Sequence, residues 1–99
     1  MCGLFITFEG GEGSGKTTQI QHLKNWIESN MDSANLCLTR EPGGTIEAES
    51  IRELLLNGAA NKWQPATEAM MMSASRHEHV IHVIKPALSR GDIVICDRF

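Results

Sequence analysis

The residues best suited to chemistry form a glycine-rich segment near the N-terminus. Positions 10–17 read Gly-Gly-Glu-Gly-Ser-Gly-Lys-Thr, a complete G-x4-G-K-T pattern. Glycines let backbone N–H groups turn inward around an anion, and a following helix adds the positive end of its dipole. Lys16 would then reach the β- and γ-phosphates of a nucleotide, and the Thr17 hydroxyl would ligate Mg²⁺. The predicted phosphate-binding residues are Gly10, Gly11, Glu12, Gly13, Ser14, Gly15, Lys16, Thr17 and Thr18.

A second candidate for chemistry is the acid that ends the apolar run at residues 93–96. In a parallel sheet, an acid at the carboxyl end of a strand lies in the same crevice as a phosphate-binding loop. A strand followed by Asp is commonplace, so this interpretation depends on the glycine-rich segment. Together the two features predict that Asp97 holds Mg²⁺ through water.

Two arginines are also candidates for binding an anion or a polar ligand. Arg98 follows Asp97 directly, and Arg76 lies one helical turn from both Met72 and Val80 on an otherwise apolar face. A guanidinium on such a face must find acceptors, because a buried unpaired charge is costly. Two interpretations stay open for Arg76: an internal ion pair with one of the 12 acids, or a hydrogen bond to a bound substrate.

Strand-like and helix-like segments alternate around these residues. Apolar runs predict strands at residues 4–8, 36–39 and 93–96. The intervening segments are helical in spacing, which gives the order β-α-β-α-α-β. Because the runs are apolar along their length rather than alternating, we predict an α/β fold with a parallel sheet covered by helices on both faces.

The predicted helices have recognisable start and stop signals. The first begins at Lys16, after the glycine-rich segment. Thr45 is the expected N-cap of the second helix, which Asn57 and Gly58 end. Thr67 is the expected N-cap of a long third helix, whose last turn Pro86 should kink or shorten.

Length and composition limit the class of protein. The chain has 99 residues and a net charge of −3, enough for one small domain at most. The acidic balance argues against nucleic-acid binding through a basic face, since duplex affinity depends on several Lys and Arg side chains. No apolar run approaches the ~20 residues of a membrane span, and 3 widely spaced cysteines fit reduced thiols. We therefore expect a cytoplasmic protein without membrane or nucleic-acid partners.

A cluster of histidines at residues 77–82 invites comparison with zinc motifs. The H-E-x-x-H pattern would need His at position 81, which is Ile. Only His79 and His82 share a helical face, so a metal site here is disfavoured.

Several segments together resemble one family, the bacterial type of thymidylate (dTMP) kinase among P-loop nucleoside monophosphate kinases. Residues 8–19 resemble its phosphate-binding loop, including the acid Glu12, and residues 39–45 (Thr-Arg-Glu-Pro-Gly-Gly-Thr) resemble a loop that separates it from adenylate and guanylate kinases. Further matches lie at residues 51–56, 74–76, 84–88 and 97–99 and at His79. The resemblance implies a P-loop NTPase fold with three layers (αβα), of which this sequence holds the first three strands.

The resemblance also implies a reaction and a set of site residues. The reaction is transfer of a phosphoryl group from ATP to dTMP with Mg²⁺, for dTTP synthesis. Glu12 would lie near the sugar 3′-hydroxyl and the metal, Arg98 would bind the acceptor phosphate, and Arg76 would donate to a thymine carbonyl. The implied catalytic residues are Lys16, Glu12, Arg98 and Asp97, and the implied dTMP site comprises Arg40, Glu41, Pro42, Arg52, Met72, Arg76 and Arg98. A homodimer is possible for a full-length protein.

The sequence departs from the family pattern in two ways. The family usually has an aromatic residue four positions before the thymine-reading arginine, where Met72 stands here, and a thioether stacks less well on a base. The chain also stops at Phe99, roughly halfway through the family's fold. We therefore expect residues 1–99 to be the N-terminal part of a nucleoside monophosphate kinase domain, lacking the lid and C-terminal strands, with little or no turnover alone. The alternatives are a non-catalytic nucleotide-binding fragment and another small-molecule P-loop kinase.

Overall fold

The computed structural model describes residues 3–11, 13–31, 33–57 and 62–99. Its elements, in chain order, are β1 (Leu4–Phe8), α1 (Lys16–Asn30), β2 (Leu36–Arg40), α2 (Ile46–Leu56), α3 (Pro65–His79), a π-helical turn (Val80–Ile84), α4 (Lys85–Ser89) and β3 (Ile93–Asp97). The π-helical turn joins α3 and α4 into one continuous helix, so the predicted element order is confirmed. No helix in this part of the chain is long and apolar enough to cross a membrane.

The three strands form a parallel sheet in the order β1-β3-β2 within the described residues. Leu4 and Leu36 both pair with Ile93, and at the other end Phe8 and Arg40 both pair with Asp97. The carboxyl ends of the strands are therefore level. The segments that follow them emerge along one edge of the sheet, where ligands bind in open α/β sheets.

Burial differs between the central strand and its neighbours. Residues 93–96 of β3 are buried, whereas β1 and β2 are half-buried or exposed along their length. The uniformly apolar runs of β1 and β2 are therefore not matched by uniform burial in the described sheet. Each of them has a single neighbouring strand in the described sheet, so its other flank is uncovered.

Two apolar clusters lie on opposite faces of the sheet. On one face, Ile27 of α1 packs with Ile93 and Ile95. On the other, Ile84 and Ala87 pack against Val94. Alternate residues of β3 thus serve opposite cores, as the period of two in a strand requires. The predicted layering of helices on both faces is confirmed.

The helix termini test the local predictions. Thr45 is the N-cap of α2, and its hydroxyl accepts a hydrogen bond from the backbone N–H of Ala48 at 2.9 Å, as predicted. Asn57 follows the last residue of α2, while Gly58 lies outside the described residues. The prediction for Thr67 is wrong, because α3 starts at Pro65. Proline fits the first helical position, since its fixed φ suits a helix and the N–H it lacks is not needed there.

The helix that contains Pro86 is distorted, as predicted. The distortion lies at Val80–Ile84, one turn before the last turn of the helix. The backbone N–H of Lys85 donates to the carbonyl of Val80, five residues back, which marks the π-helical turn. The ring of a proline inside a helix crowds the carbonyl four residues before it and offers no N–H to bond it. The wider π-helical turn accommodates that mismatch without ending the helix.

Candidate functional site

The glycine loop, residues 10–17, connects β1 to α1 at the ligand-binding edge of the sheet. Gly13 and Gly15 have φ of 79° and 83°, in the left-handed region. A Cβ at either position would meet nothing within 4 Å, so a side chain would not collide with its surroundings. Glycine is favoured here because other residues rarely adopt these backbone angles. No side chain caps the start of α1, which leaves its first N–H groups available to an anion. Glu12 lies outside the described residues.

Lys16 and Asp97 face each other across the start of α1 and the end of β3. The Lys16 Nζ and Asp97 Oδ1 atoms are 2.5 Å apart, and the lysine side chain is only 10% exposed. Apart from this ion pair, the buried Oδ1 atom has no hydrogen-bond partner. Both groups line the cavity beside the glycine loop, so a ligand that binds there could reorganise this pair of charges.

The oxygen atoms beside this pair fit a magnesium ion. Thr17 and Asp97 line the same cavity, and hydroxyl and carboxylate oxygens are hard ligands. Within the described residues, no group of three or more His, Cys, Asp or Glu side chains could hold a metal by itself. Mg²⁺ typically binds one or two protein ligands together with waters and substrate phosphates. The residues present thus suit a metal that arrives with a nucleotide.

A cavity of ≈ 420 Å³ extends from the glycine loop to β2 and α2. It is lined by Gly11, Gly13, Gly15, Lys16, Thr17, Thr18, Arg40, Glu41, Arg52, Asp97 and Arg98. Four of these side chains are cationic and two are carboxylates. The cavity therefore concentrates positive charge in a chain whose net charge is −3, and an anionic ligand is the chemistry it favours.

Glu49 of α2 holds two of the cationic side chains. Its carboxylate lies 3.3 Å from Arg40 Nη2 and 3.9 Å from Arg52 Nε, and it accepts a hydrogen bond from the Gly44 N–H at 3.2 Å. The Gly44 hydrogen bond, followed by the charge of Arg40, lowers the pKa of Glu49 from its usual value. Arg52 also donates to the carbonyl of Pro42 at 3.4 Å. These contacts keep both guanidinium groups at the cavity wall.

Arg98 occupies an unusual backbone conformation at the end of β3. Its φ is 69°, and its N–H donates to the carbonyl of Phe8 at 2.9 Å. The Cys96 thiol donates to the Arg98 carbonyl at 2.8 Å. A non-glycine residue in this region is uncommon and is held by its surroundings, which often happens at functional sites.

Glu41 lines the cavity, but its carboxylate is turned into the protein. The residue is 7% exposed. Its Oε1 accepts a hydrogen bond from Arg76 Nε at 2.9 Å, and its Oε2 lies 2.8 Å from His79 Nδ1. The internal ion pair that the sequence allowed for Arg76 is therefore present, with Glu41 as the acid. It uses the Nε side of the guanidinium, and 47% of the arginine side chain is exposed.

Met72 and Arg76 lie on α3, outside the cavity of the glycine loop. Both side chains are about half exposed, and the guanidinium carbon of Arg76 is 4.4 Å from the centre of the Phe99 ring. Glu41 links this face of α3 to the cavity, since it pairs with Arg76 and lines the cavity itself. The predicted site residues thus form two groups, one at the cavity and one on α3, and the Glu41 carboxylate connects them.

His79 is a residue whose position the sequence did not predict. It is fully buried, with Nδ1 against Glu41 and Nε2 2.5 Å from Thr39 Oγ1. A weak signal existed, because His79 stands one turn after Arg76 on the same helical face. Its partners are about 40 residues away in sequence, so local spacing could not identify them.

The cysteines match the prediction of reduced thiols where the structure describes them. Cys37 is half-buried and Cys96 is buried, and both are free; Cys2 lies outside the described residues. Burial is the main cause that raises the pKa of both thiols, that of Cys96 to about 12. A raised pKa means less reactive thiolate at a given pH.

We expect iodoacetamide at pH 8 to modify Cys96 at least about 10²-fold more slowly in the folded chain than in urea. Cys37, which is less buried, should react before Cys96. Mass spectrometry of the cysteine-containing peptides over time measures both rates. Equal rates for Cys96 with and without urea would contradict the burial of this thiol.

Comparison with known proteins agrees with the site geometry. The family model described as thymidylate kinase matches residues 8–99. A thymidylate kinase of Caulobacter vibrioides is 53% identical over 97 residues, which cover 98% of this chain and 46% of that protein. One of Bartonella quintana is 50% identical over 99 residues, covering 100% of this chain and 45% of that protein.

A solved structure gives the same result in three dimensions. The crystal structure of thymidylate kinase from Ehrlichia chaffeensis matches with a TM-score of 0.86 at 45% identity, covering 100% of this chain and 55% of that one. The resemblance and the fold predicted from the sequence are confirmed. The chain spans about half the length of the curated relatives it matches. With these matches and this fold, the chain belongs to the thymidylate kinase family.

Proposed function

We propose that the protein containing this chain is a dTMP kinase, which transfers the γ-phosphoryl group of ATP to dTMP and so serves dTTP synthesis for DNA replication. The observation that carries the proposal is the cationic cavity, which extends from the glycine loop to Arg40 and Glu41 of the loop at residues 39–45, in a chain about 50% identical to thymidylate kinases. Residues 1–99 would be the N-terminal part of the kinase domain. The cytoplasmic location and a homodimer stay predictions.

The donor side of the proposed site is the glycine loop. Its backbone N–H groups and those at the start of α1 would surround the phosphates of ATP. Lys16 Nζ would exchange its contact with Asp97 for oxygens of the β- and γ-phosphates. Thr17 and Asp97 would hold Mg²⁺, which would neutralise phosphate charge during transfer. The breaking of the Lys16–Asp97 pair would free both groups at the moment the nucleotide binds.

The acceptor side comprises the cationic wall of the cavity and the adjoining face of α3. Arg98, with Arg40 and Arg52, would bind the phosphate of dTMP, since guanidinium groups suit phosphate oxygens. Arg76 would donate to a thymine carbonyl, with Met72 packed on the ring. Glu41 and Pro42 would shape this side, and Glu12 would lie near the sugar. These groups act mainly by positioning and by electrostatics, because phosphoryl transfer needs little covalent help from the protein.

The proposal is tested by nucleotide titration and by a transfer assay. Calorimetry with the 99-residue chain measures the binding of ATP with Mg²⁺ and of dTMP. Transfer is measured in a chimera that continues this chain with the C-terminal part of the Caulobacter vibrioides relative. We expect dTMP-dependent formation of ADP by the chimera and little turnover by the 99-residue chain.

Three outcomes would count against the proposal. Phosphorylation of dAMP or dGMP as well as dTMP would contradict the substrate assignment and favour another small-molecule kinase. Nucleotide binding without transfer in the chimera would favour a non-catalytic module. Ordinary turnover by the 99-residue chain would contradict the expectation that it needs further segments.

Replacing Met72 with phenylalanine should tighten dTMP binding about 2–10-fold, because an aromatic ring stacks on a base better than a thioether does. Calorimetric Kd values for dTMP check this. Met70→Phe is the matched control, since Met70 lies in the same helix with 66% of its surface exposed. An unchanged Kd for Met72→Phe would remove Met72 from the proposed base site.

A further inference from the structure

His79 is a buried titratable side chain without a role in the proposed reaction. Its ring is fully buried on α3, and both of its nitrogens have side-chain partners. Nδ1 lies 2.8 Å from Glu41 Oε2, and Nε2 lies 2.5 Å from Thr39 Oγ1. The ring therefore bridges the end of β2 and the first residue after it.

The hydrogen-bonding capacity of the partners fixes the arrangement of protons. An ionised carboxylate only accepts, so Nδ1 carries a hydrogen and donates it to Glu41. In the neutral ring Nε2 then accepts from the Thr39 hydroxyl, which can donate. Every polar atom of this buried group is satisfied, and Glu41 Oε1 is left to accept from Arg76 Nε at 2.9 Å. The chain of contacts runs from Thr39 through His79 and Glu41 to Arg76.

The backbone of the loop at residues 41–44 is fitted to the same ring. A Cβ at Gly44 would collide with the His79 ring, so the loop approaches it as closely as glycine allows. One residue earlier, the N–H of Gly43 donates to the buried hydroxyl of Ser75 at 3.2 Å. The loop and α3 are thus held together around His79, which leaves the Glu41 carboxylate little freedom to turn.

We propose that His79 is a positioning residue for the arginine that reads the base: it fixes the Glu41 carboxylate and, through it, the direction of the Arg76 guanidinium. His79 itself touches no substrate. The inference rests on the proposed function, in which Arg76 binds thymine. The proposal predicts different effects on the two nucleotides. Loss of His79 should weaken dTMP binding and leave ATP affinity unchanged, because the phosphates of ATP would bind at the glycine loop.

Nuclear magnetic resonance tests the positioning directly, without substrate. In the wild-type chain we expect the Nδ1–H tautomer of His79 and a slowly exchanging Arg76 Nε–H signal. His79→Phe should lose the Arg76 signal, whereas His79→Gln should keep it, because glutamine retains one donor and one acceptor. His77→Phe, an exposed histidine two residues earlier in α3, is the matched control and should change neither signal.

The binding readout uses dTMP and ATP with Mg²⁺ separately. His79→Phe should weaken dTMP binding about 10-fold, the effect of losing one charge-assisted hydrogen bond, and leave ATP affinity within about twofold. His79→Gln should recover most of the dTMP affinity. If His79→Phe does not fold, as judged by circular dichroism, Thr39→Val takes its place, since it removes only the hydroxyl that fixes the ring.

The outcomes separate this inference from the proposed function. An unchanged Arg76 signal in His79→Phe, or a parallel loss of dTMP and ATP affinity, would overturn the positioning role. Failure of the wild-type chain to bind dTMP, with the Arg76 signal behaving as expected, would overturn the assigned substrate and leave the contact from His79 to Arg76 supported.

Discussion

Replacing Lys16 with methionine is expected to reduce phosphoryl transfer about 10²–10³-fold, the usual cost of removing one preorganised group that stabilises developing charge. Methionine keeps most of the aliphatic stem of a side chain that is only 10% exposed, and it removes the ammonium group. The loss should fall on kcat and on ATP affinity, since Lys16 heads α1 at the glycine loop. Initial rates of ADP formation by the chimera, at saturating dTMP, measure the effect.

The controls separate the charge of Lys16 from the packing of α1. Lys24→Met removes an ammonium from the same helix, where the side chain is partly exposed and lies 3.7 Å from Glu28, and should leave transfer within about twofold. Asp97→Asn removes the carboxylate charge that pairs with Lys16. Its transfer rate, compared with that of Lys16→Met, tests whether Asp97 also has the proposed role in holding Mg²⁺. A Lys16→Met variant with native transfer rates would contradict the proposed role of the glycine loop.

Replacing Gly44 with alanine should lower the free energy of unfolding by about 2–5 kcal/mol. Two costs add: the backbone has φ of 100°, which L side chains rarely adopt, and the new methyl group would collide with the buried His79 ring. Neither can relax easily, because the ring is held by Glu41 and Thr39. Urea unfolding followed by circular dichroism gives the free energy, and a loss of this size is a large share of the about 5–15 kcal/mol that stabilises a typical folded domain.

Gly11→Ala is the matched control for that experiment. A Cβ at Gly11 meets nothing within 4 Å, and the residue is not among those with positive φ. We expect a change within about 0.5 kcal/mol, as for most exposed positions. Equal destabilisation by the two substitutions would show that the collision with His79 is not the cause.

Local signals predicted the elements well because they act over a few residues. Thr45 caps α2 through a hydrogen bond three residues away, and the apolar runs mark all three strands. Thr67 misled the prediction, since the proline two residues earlier satisfies the helix start by itself. The degree of strand burial could not be predicted in the same way, because it depends on the number of neighbouring strands, which a run of apolar residues does not encode.

The site was predictable in part for the same reason. The glycine loop and Asp97 follow from contiguous motifs, and the structure brings them together around one cavity. The inward turn of Glu41 and the burial of His79 arise from a pairing across 38 residues, which no local pattern specifies. For Arg76 the sequence left two interpretations. The ion pair with Glu41 is the first of them, and because 47% of the arginine side chain is exposed, a hydrogen bond to a substrate stays compatible with it.

The strand order has a consequence for how the chain acquires its structure. In the described sheet, β1 and β2 pair only with β3, so every bond between these three strands involves residues 93–97, which come last of the three in the sequence. During synthesis, which proceeds from the N-terminus, the first two strands wait without a partner while the helices between them form. Pairing among these three strands can begin only after β3 has been made, and because the contacts are distant in sequence, it should be slow compared with helix formation.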